Sequence, residues 1–120
     1  MLNNHISDEE YLYRGVIEHN WDYDNNRPSS ATFKDSKGAS VDRDAGRSEK
    51  DCINNLLKVR DFHAVCKVKT YDVRILNAIV LYKPVESNIY HSEIHDSHDR
   101  PRLRGSKPNK IRDKSEIVYP

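Results

Sequence analysis

The apolar residues of this chain are concentrated between Cys52 and Ile94, while the first ten residues and the stretch from Asp96 to Lys114 hold few of them. That distribution predicts one core. A chain of 120 residues is the size of a single domain, and polar flanks with little apolar surface need outside support to stay ordered. With 36% hydrophobic and 32% charged residues, the core must be thin and much of the chain must lie in solvated loops.

Local patterns predict an α+β domain over residues 1–120, with a mixed sheet, about two short helices and long polar loops. Tyr11 to Ile17 alternates like a strand, and His19 to Pro28 is rich in turn-formers around Trp21 and Tyr23. Ser30 to Phe33 and Ala39 to Asp42 read as short strands around a turn in which Gly38 takes a positive φ. Ser48 can cap a helix running to about Val59, with Cys52, Ile53, Leu56, Leu57 and Val59 as its buried stripe. Ala64, Val65 and Val68 suggest a brief strand. Thr70 to Leu76 suggests a helix stopped by Asn77. Ala78 to Tyr82 is apolar throughout, the pattern of a central strand, and Asn88 to Ile94 and Ile117 to Tyr119 supply further strand candidates, the last at an edge. Residues 96–114 read as a basic loop or tail: seven cations from Arg100 to Lys114 are interrupted by Pro101, Gly105 and Pro108.

The formal net charge of +1 gives no bulk electrostatic argument for nucleic acid or membrane, although the basic segment could contact phosphate locally. No apolar run reaches the roughly 18 residues of a membrane helix, and the N-terminus lacks a signal pattern, so a cytoplasmic protein without membrane contact is expected. Cys52 and Cys66 sit in apolar stretches and read as reduced core residues.

His91, His95 and His98 would share one side of a helix and suit zinc. However, Asp96, Ser97, Asp99 and Pro101 make a poor helix, so neither metal nor cofactor is expected. His91 is the best candidate for proton transfer, because it follows the Ala78 to Tyr82 strand and the end of a sheet commonly opens into a cleft. If its segment is extended, His91 and Glu93 share a face. His63 reads as structural. Arg14, embedded in an apolar strand, needs an anionic partner, either a ligand or one of the chain's own carboxylates. Asp42 joins His91 and Arg14 as a catalytic candidate, sharing a strand face with Ser40, while Arg43 points away or leaves at the strand end. Neither a Gly-x-Ser-x-Gly elbow nor a phosphate-binding glycine loop occurs.

The motifs Tyr13-Arg14-Gly15, Arg27 to Phe33, Ala39 to Arg43 and Asn88 to His91 resemble a family of small bacterial proteins of uncharacterised function. That resemblance covers about two-thirds of the chain and implies that Arg14, Ser30, Phe33, Ser40, Asp42, Arg43 and His91 converge. Arg14 and Ser30 to Phe33 are also similar to early-strand elements of ADP-ribosyltransferase-like proteins, whose late Glu-x-Glu this chain lacks.

Two functions follow as expectations. The first is a phosphate-handling domain that binds or cleaves a nucleotide or nucleic acid, such as RNA, without metal, with Arg14, Arg43, Ser40, Ser30 and Phe33 at the ligand and His91 and Asp42 in proton transfer. The second is a non-enzymatic module for a protein partner, such as an immunity, antitoxin or regulatory subunit, using Trp21, Tyr23 and the basic tail.

Overall fold

In the computed structural model, which describes residues 2–120, the aromatic and β-branched segment Tyr11–Val16 forms strand β1. Two residue pairs, Trp21–Asp22 (β2) and Arg27–Pro28 (β3), make a small separate ribbon. Strands β4 (Ala39–Arg43), β5 (Ala64–Lys69), β6 (Ile79–Tyr82), β7 (His91–His95) and β8 (Glu116–Tyr119) join β1 in one six-stranded sheet of order β6-β7-β4-β1-β5-β8. The α+β class is as the sequence predicts, but every pair in the sheet is antiparallel, not mixed.

Helix α1 (Glu49–Val59) starts where the capping residue requires: the Ser48 hydroxyl accepts a hydrogen bond from the Asp51 amide at 3.2 Å. Its Cys52, Ile53, Leu56 and Leu57 pack on Tyr13 and Val65 on one face of the sheet. Val59, assigned to the same stripe, instead projects from the last turn and is exposed. On the other face, Leu12, Val16, Val41, Cys66, Val68 and Ile94 meet Phe33, Val73 of α2 (Thr70–Arg74) and Ile111 of α3 (Lys107–Lys114). The chain leaves the second helix through Asn77 at φ 62°, a conformation that asparagine tolerates.

Three further readings change. Ser30 to Phe33 is a turn, because Phe33 inserts into the core while Arg14 takes up the Thr32 carbonyl. The Ala78 to Tyr82 segment yields an edge strand: its four ladder residues are only half-buried, with Val80 and Tyr82 resting on the core. The 96–114 stretch is not a solvated tail. Asp96, itself buried, accepts from the Arg104 amide at 3.1 Å and from Lys107 Nζ at 2.9 Å, and Leu103, Pro108 and Ile111 are buried behind it. These contacts span eight or more residues, so composition could not reveal them. The third helix is the result. Cys52 and Cys66 are free and buried in different apolar clusters, and burial pushes both thiols up to about 11, which keeps them protonated. Among the described residues, no helix is long and apolar enough to cross a membrane.

The N-terminal segment is held by an ion pair under the sheet. Arg43 donates to both Glu10 carboxylate oxygens, at 3.0 and 2.7 Å, and to the carbonyls of Asn3 and His5. Burial works to raise the Glu10 pKa, but the hydrogen bond from Arg43 and the amides of Ala45 and Ser7 outweigh it and hold the carboxyl below its usual value. Glu10 therefore contributes stability above the ordinary carboxylate range that is lost as pH falls through its lowered pKa. Glu10→Gln leaves the guanidinium buried without its counter-charge. We expect it to lower unfolding free energy in urea at neutral pH by about 3 kcal/mol, with the two proteins converging in acid.

Candidate functional site

The candidate site begins with a break in the sheet. Strands β1 and β4 pair at Leu12 with Arg43 and at Tyr13 with Asp42, and then separate. Arg14 fills the opening. Its Nη1 donates to the Ser40 carbonyl at 2.7 Å, its Nε to the Thr32 carbonyl at 2.8 Å and its Nη2 to Asp35 at 2.8 Å. Next to it, Gly15 gives the Phe62 ring room that any larger residue would take: a Cβ there would lie 2.5 Å from the ring. A cleft of about 360 Å³ opens at this break, walled by Leu56, Val59 and Phe62 and carrying Arg14, Ser40, Asp42, Asn88 and His91. That volume lies within the roughly 300–1,000 Å³ common for small-ligand sites.

Strand geometry sets the polar floor. Ser40 and Asp42 project to the α1 face of the sheet, while Val41 belongs to the core on the other side. Asp42 has Tyr13 as its ladder neighbour on one side and His91 on the other. Only 4% exposed, its carboxyl accepts from Asn88 Nδ2 at 2.9 Å. Burial raises its pKa, and the Asn88 hydrogen bond and the charges of Arg47 and His91 only partly offset that.

His91 is oriented from its other side. Its Nε2 lies 3.3 Å from one Glu93 oxygen, and His95 Nε2 lies 2.8 Å from the other. Burial works to raise the Glu93 pKa, but the hydrogen bonds from His95 and His91 and the nearby Lys83 prevail and hold it low. An ionised carboxylate only accepts hydrogen bonds, so this network assigns the proton to Nε2 of each imidazole. In neutral His91, Nδ1 is therefore the atom able to take a proton. The extended reading of this segment holds, and His95 is tied to Glu93 while His98 lies beyond the strand, exposed.

Of the predicted site residues, Arg14, Ser40, Asp42 and His91 share the cleft. Arg43 does not: it is buried on the opposite face with Glu10 and beneath the Tyr82 ring, so it cannot meet a ligand here. Phe33 is a core residue under the Arg14 guanidinium, and Ser30 is exposed on the preceding turn; neither lines the cleft. Arg14 proves partly structural, as its pair with Asp35 shows, yet three bonds use only three of its five N–H groups. Sequence reasoning missed Asn88, Arg60 and Phe62. Arg60 sits where the α1 stripe ends, at the cleft mouth, and Asn88 lies three residues before His91. His63 packs against Trp21, with ring centroids 4.9 Å apart and the planes tilted by 50°.

Comparison with family models, curated proteins and solved structures found no match for this chain. The reading of the cleft therefore rests on its own chemistry, above all on Asp42. An acid with a raised folded pKa leaves stability intact below its ordinary value of 3.8 and costs stability as pH rises through the folded value. Asp42→Asn retains an oxygen for Asn88 and removes that cost. The variant is expected to melt above wild type at pH 7, with the gap closing below about pH 4; equal melting temperatures at every pH would show that Asp42 ionises as freely as a surface carboxylate.

Proposed function

We propose that the cleft binds a phosphate-bearing nucleotide or nucleic-acid segment and that Asp42 and His91 exchange protons with it. The observation that carries this reading is the buried carboxyl of Asp42, set beside His91 in the β4–β7 ladder on the floor of a cleft that Arg14 also lines. Arg60 at the mouth and the two remaining N–H groups of Arg14 would meet the anion. Phe62, Leu56 and Val59 offer an apolar wall for a base ring.

The same groups can support phosphodiester transfer. Nδ1 of His91 would take the proton of an attacking hydroxyl as its oxygen bonds to phosphorus. The protonated Asp42 would return a proton to the leaving oxygen as the second P–O bond breaks. The raised pKa supports that assignment, since it keeps a proton on Asp42 at higher pH than an ordinary Asp. Each such proton-transfer contribution is commonly worth about 10² to 10⁴ in rate.

A protein-docking module based on aromatic anchors has less support. Tyr13 is buried under α1, Trp21 packs on His63, and Tyr11 lies beneath Lys67, so Tyr23 alone of the four stands well exposed.

A thermal-shift screen against mono-, di- and cyclic nucleotides and short RNA tests the proposal. A ligand at a hundredfold excess over its Kd stabilises by about 2.7 kcal/mol, enough to raise the melting temperature of wild type visibly. His91→Ala and Arg60→Ala, checked for fold by circular dichroism, are expected to weaken that rise. A rise unchanged in both variants would place the ligand elsewhere, and no rise with any ligand would overturn the reading.

A further inference from the structure

A second concavity lies outside the cleft, between the turn of residues 34–38 and the loop that follows β7. It measures about 480 Å³ and is lined by Lys34, Arg100, Arg102 and Arg104 over the buried Leu103 and Pro108, with no carboxylate in its wall. Of the four cations only Arg104 has an acidic partner, Asp96; Lys34, Arg100 and Arg102 make no salt bridge among the described residues. Arg14, Arg43, Lys67, Lys69 and Arg74 each have a carboxylate, and other cations such as Lys50 and Lys110 are unpaired among the described residues, but here three unpaired cations line one concavity. Gathering unpaired like charges around one pocket is unfavourable without an anion, because the charges repel inside a Debye length of about 8–10 Å.

The pocket is also held in shape. Asp96 binds the Arg104 backbone, the Arg104 side chain and Lys107, and Leu103, Pro108 and Ile111 anchor the loop and α3 to the core. The loop backbone therefore has little freedom left to lose when a ligand arrives, and the ordering cost falls on the exposed Lys34, Arg100 and Arg102 side chains.

We propose that this pocket binds the phosphate groups of a nucleic-acid backbone. Three guanidinium forks around one concavity suit a tetrahedral anion, which presents oxygens in several directions; a carboxylate offers two oxygens in one plane. The three unpaired cations also exceed what one free phosphate neutralises, so the ligand carries phosphates in series. The turn bearing Lys34 leads directly to Asp35 in the cleft wall, so a bound strand has a short path from one concavity to the other. The inference does not rest on proton transfer in the cleft.

Fluorescence anisotropy of a labelled short single-stranded RNA, titrated across a salt series, is the test. Wild type is expected to bind at low salt. Arg100→Ala combined with Arg102→Ala, both exposed and free of internal partners, should melt like wild type, bind more weakly and reduce the slope of log K against log salt by about 1.4, at about 0.7 per cation. Lys50→Ala, which removes an exposed cation of α1 outside both concavities, should keep both the affinity and the slope. Inorganic phosphate is expected to compete only at far higher concentration than the RNA, and polyglutamate poorly. No binding by wild type, or a slope unchanged in the double variant, would overturn the proposal. Equal competition by inorganic phosphate would reassign the pocket to a free anion, and equal competition by polyglutamate would overturn the preference for phosphate. Binding lost in His91→Ala but retained in the double variant would put the RNA in the cleft, supporting that reading while sinking this one.

Discussion

The cleft depends on what Arg14 does at the centre of the sheet. Two adjacent central strands that stop pairing leave backbone carbonyls without ladder donors, and such groups are costly when buried. Arg14 meets that requirement at the Ser40 and Thr32 carbonyls, while Asp35 balances its charge. Were the ladder to continue, the strands would close over the space between Gly15 and Ser40, and Phe62 could not lie against Gly15. One charged side chain therefore substitutes for a stretch of main-chain pairing and leaves a polar opening where a sheet would otherwise be continuous. It also explains how a guanidinium can sit in an apolar strand: its partners come from a loop and a neighbouring strand.

The same sheet gives two consecutive ionisable residues opposite environments. Strand alternation sends Arg43 to the face covered by the N-terminal segment and Asp42 to the face where α1 stops short. Arg43 meets a carboxylate whose pKa is held low, so both members of that pair stay charged and the segment from Asn3 to Glu10 is fastened down. Asp42 is as well buried but receives one neutral hydrogen bond, from Asn88, and no bonded cation. A carboxyl kept in such surroundings lowers stability at neutral pH without evident structural return. Burial of that kind disfavours the charged carboxylate, which is why the Asp42 pKa is raised.

Local signals made much of this legible. Ser48 marks the start of α1, Asn77 the stop after α2, and Gly38 its turn at φ 98°, because each depends on residues within one turn of chain. The alternation of β1 and β4 likewise placed Ser40 and Asp42 on one face, and an extended segment at His91 placed it with Glu93. What the sequence hides is which strand lies next to which. Ala78 to Tyr82 looks central because it is apolar at every position, yet β6 borders only β7. The fate of Arg43 depends on Glu10, 33 residues away, and the order of the basic loop depends on a buried Asp96. Val59 follows the helical period but lies past the end of the sheet surface that α1 covers, so periodicity alone buries it wrongly.

Overall charge is a poor guide to this molecule for a related reason. The formal sum of +1 suggests no attraction for a polyanion, but it counts every carboxylate equally. Many of those carboxylates are committed to internal partners: Glu10 to Arg43, Asp35 to Arg14, Glu49 to Lys67, Asp96 to Arg104 and Lys107. A committed acid near its cation produces little field at a distance, particularly in salt. Lys34, Arg100 and Arg102 have no such partner and lie around one concavity, so the local potential there is set by them and not by the sum. Folding thus commits some of a balanced set of charges to pairs that hold the structure, and leaves three unpaired cations gathered around one concavity where Asp96 orders the loop.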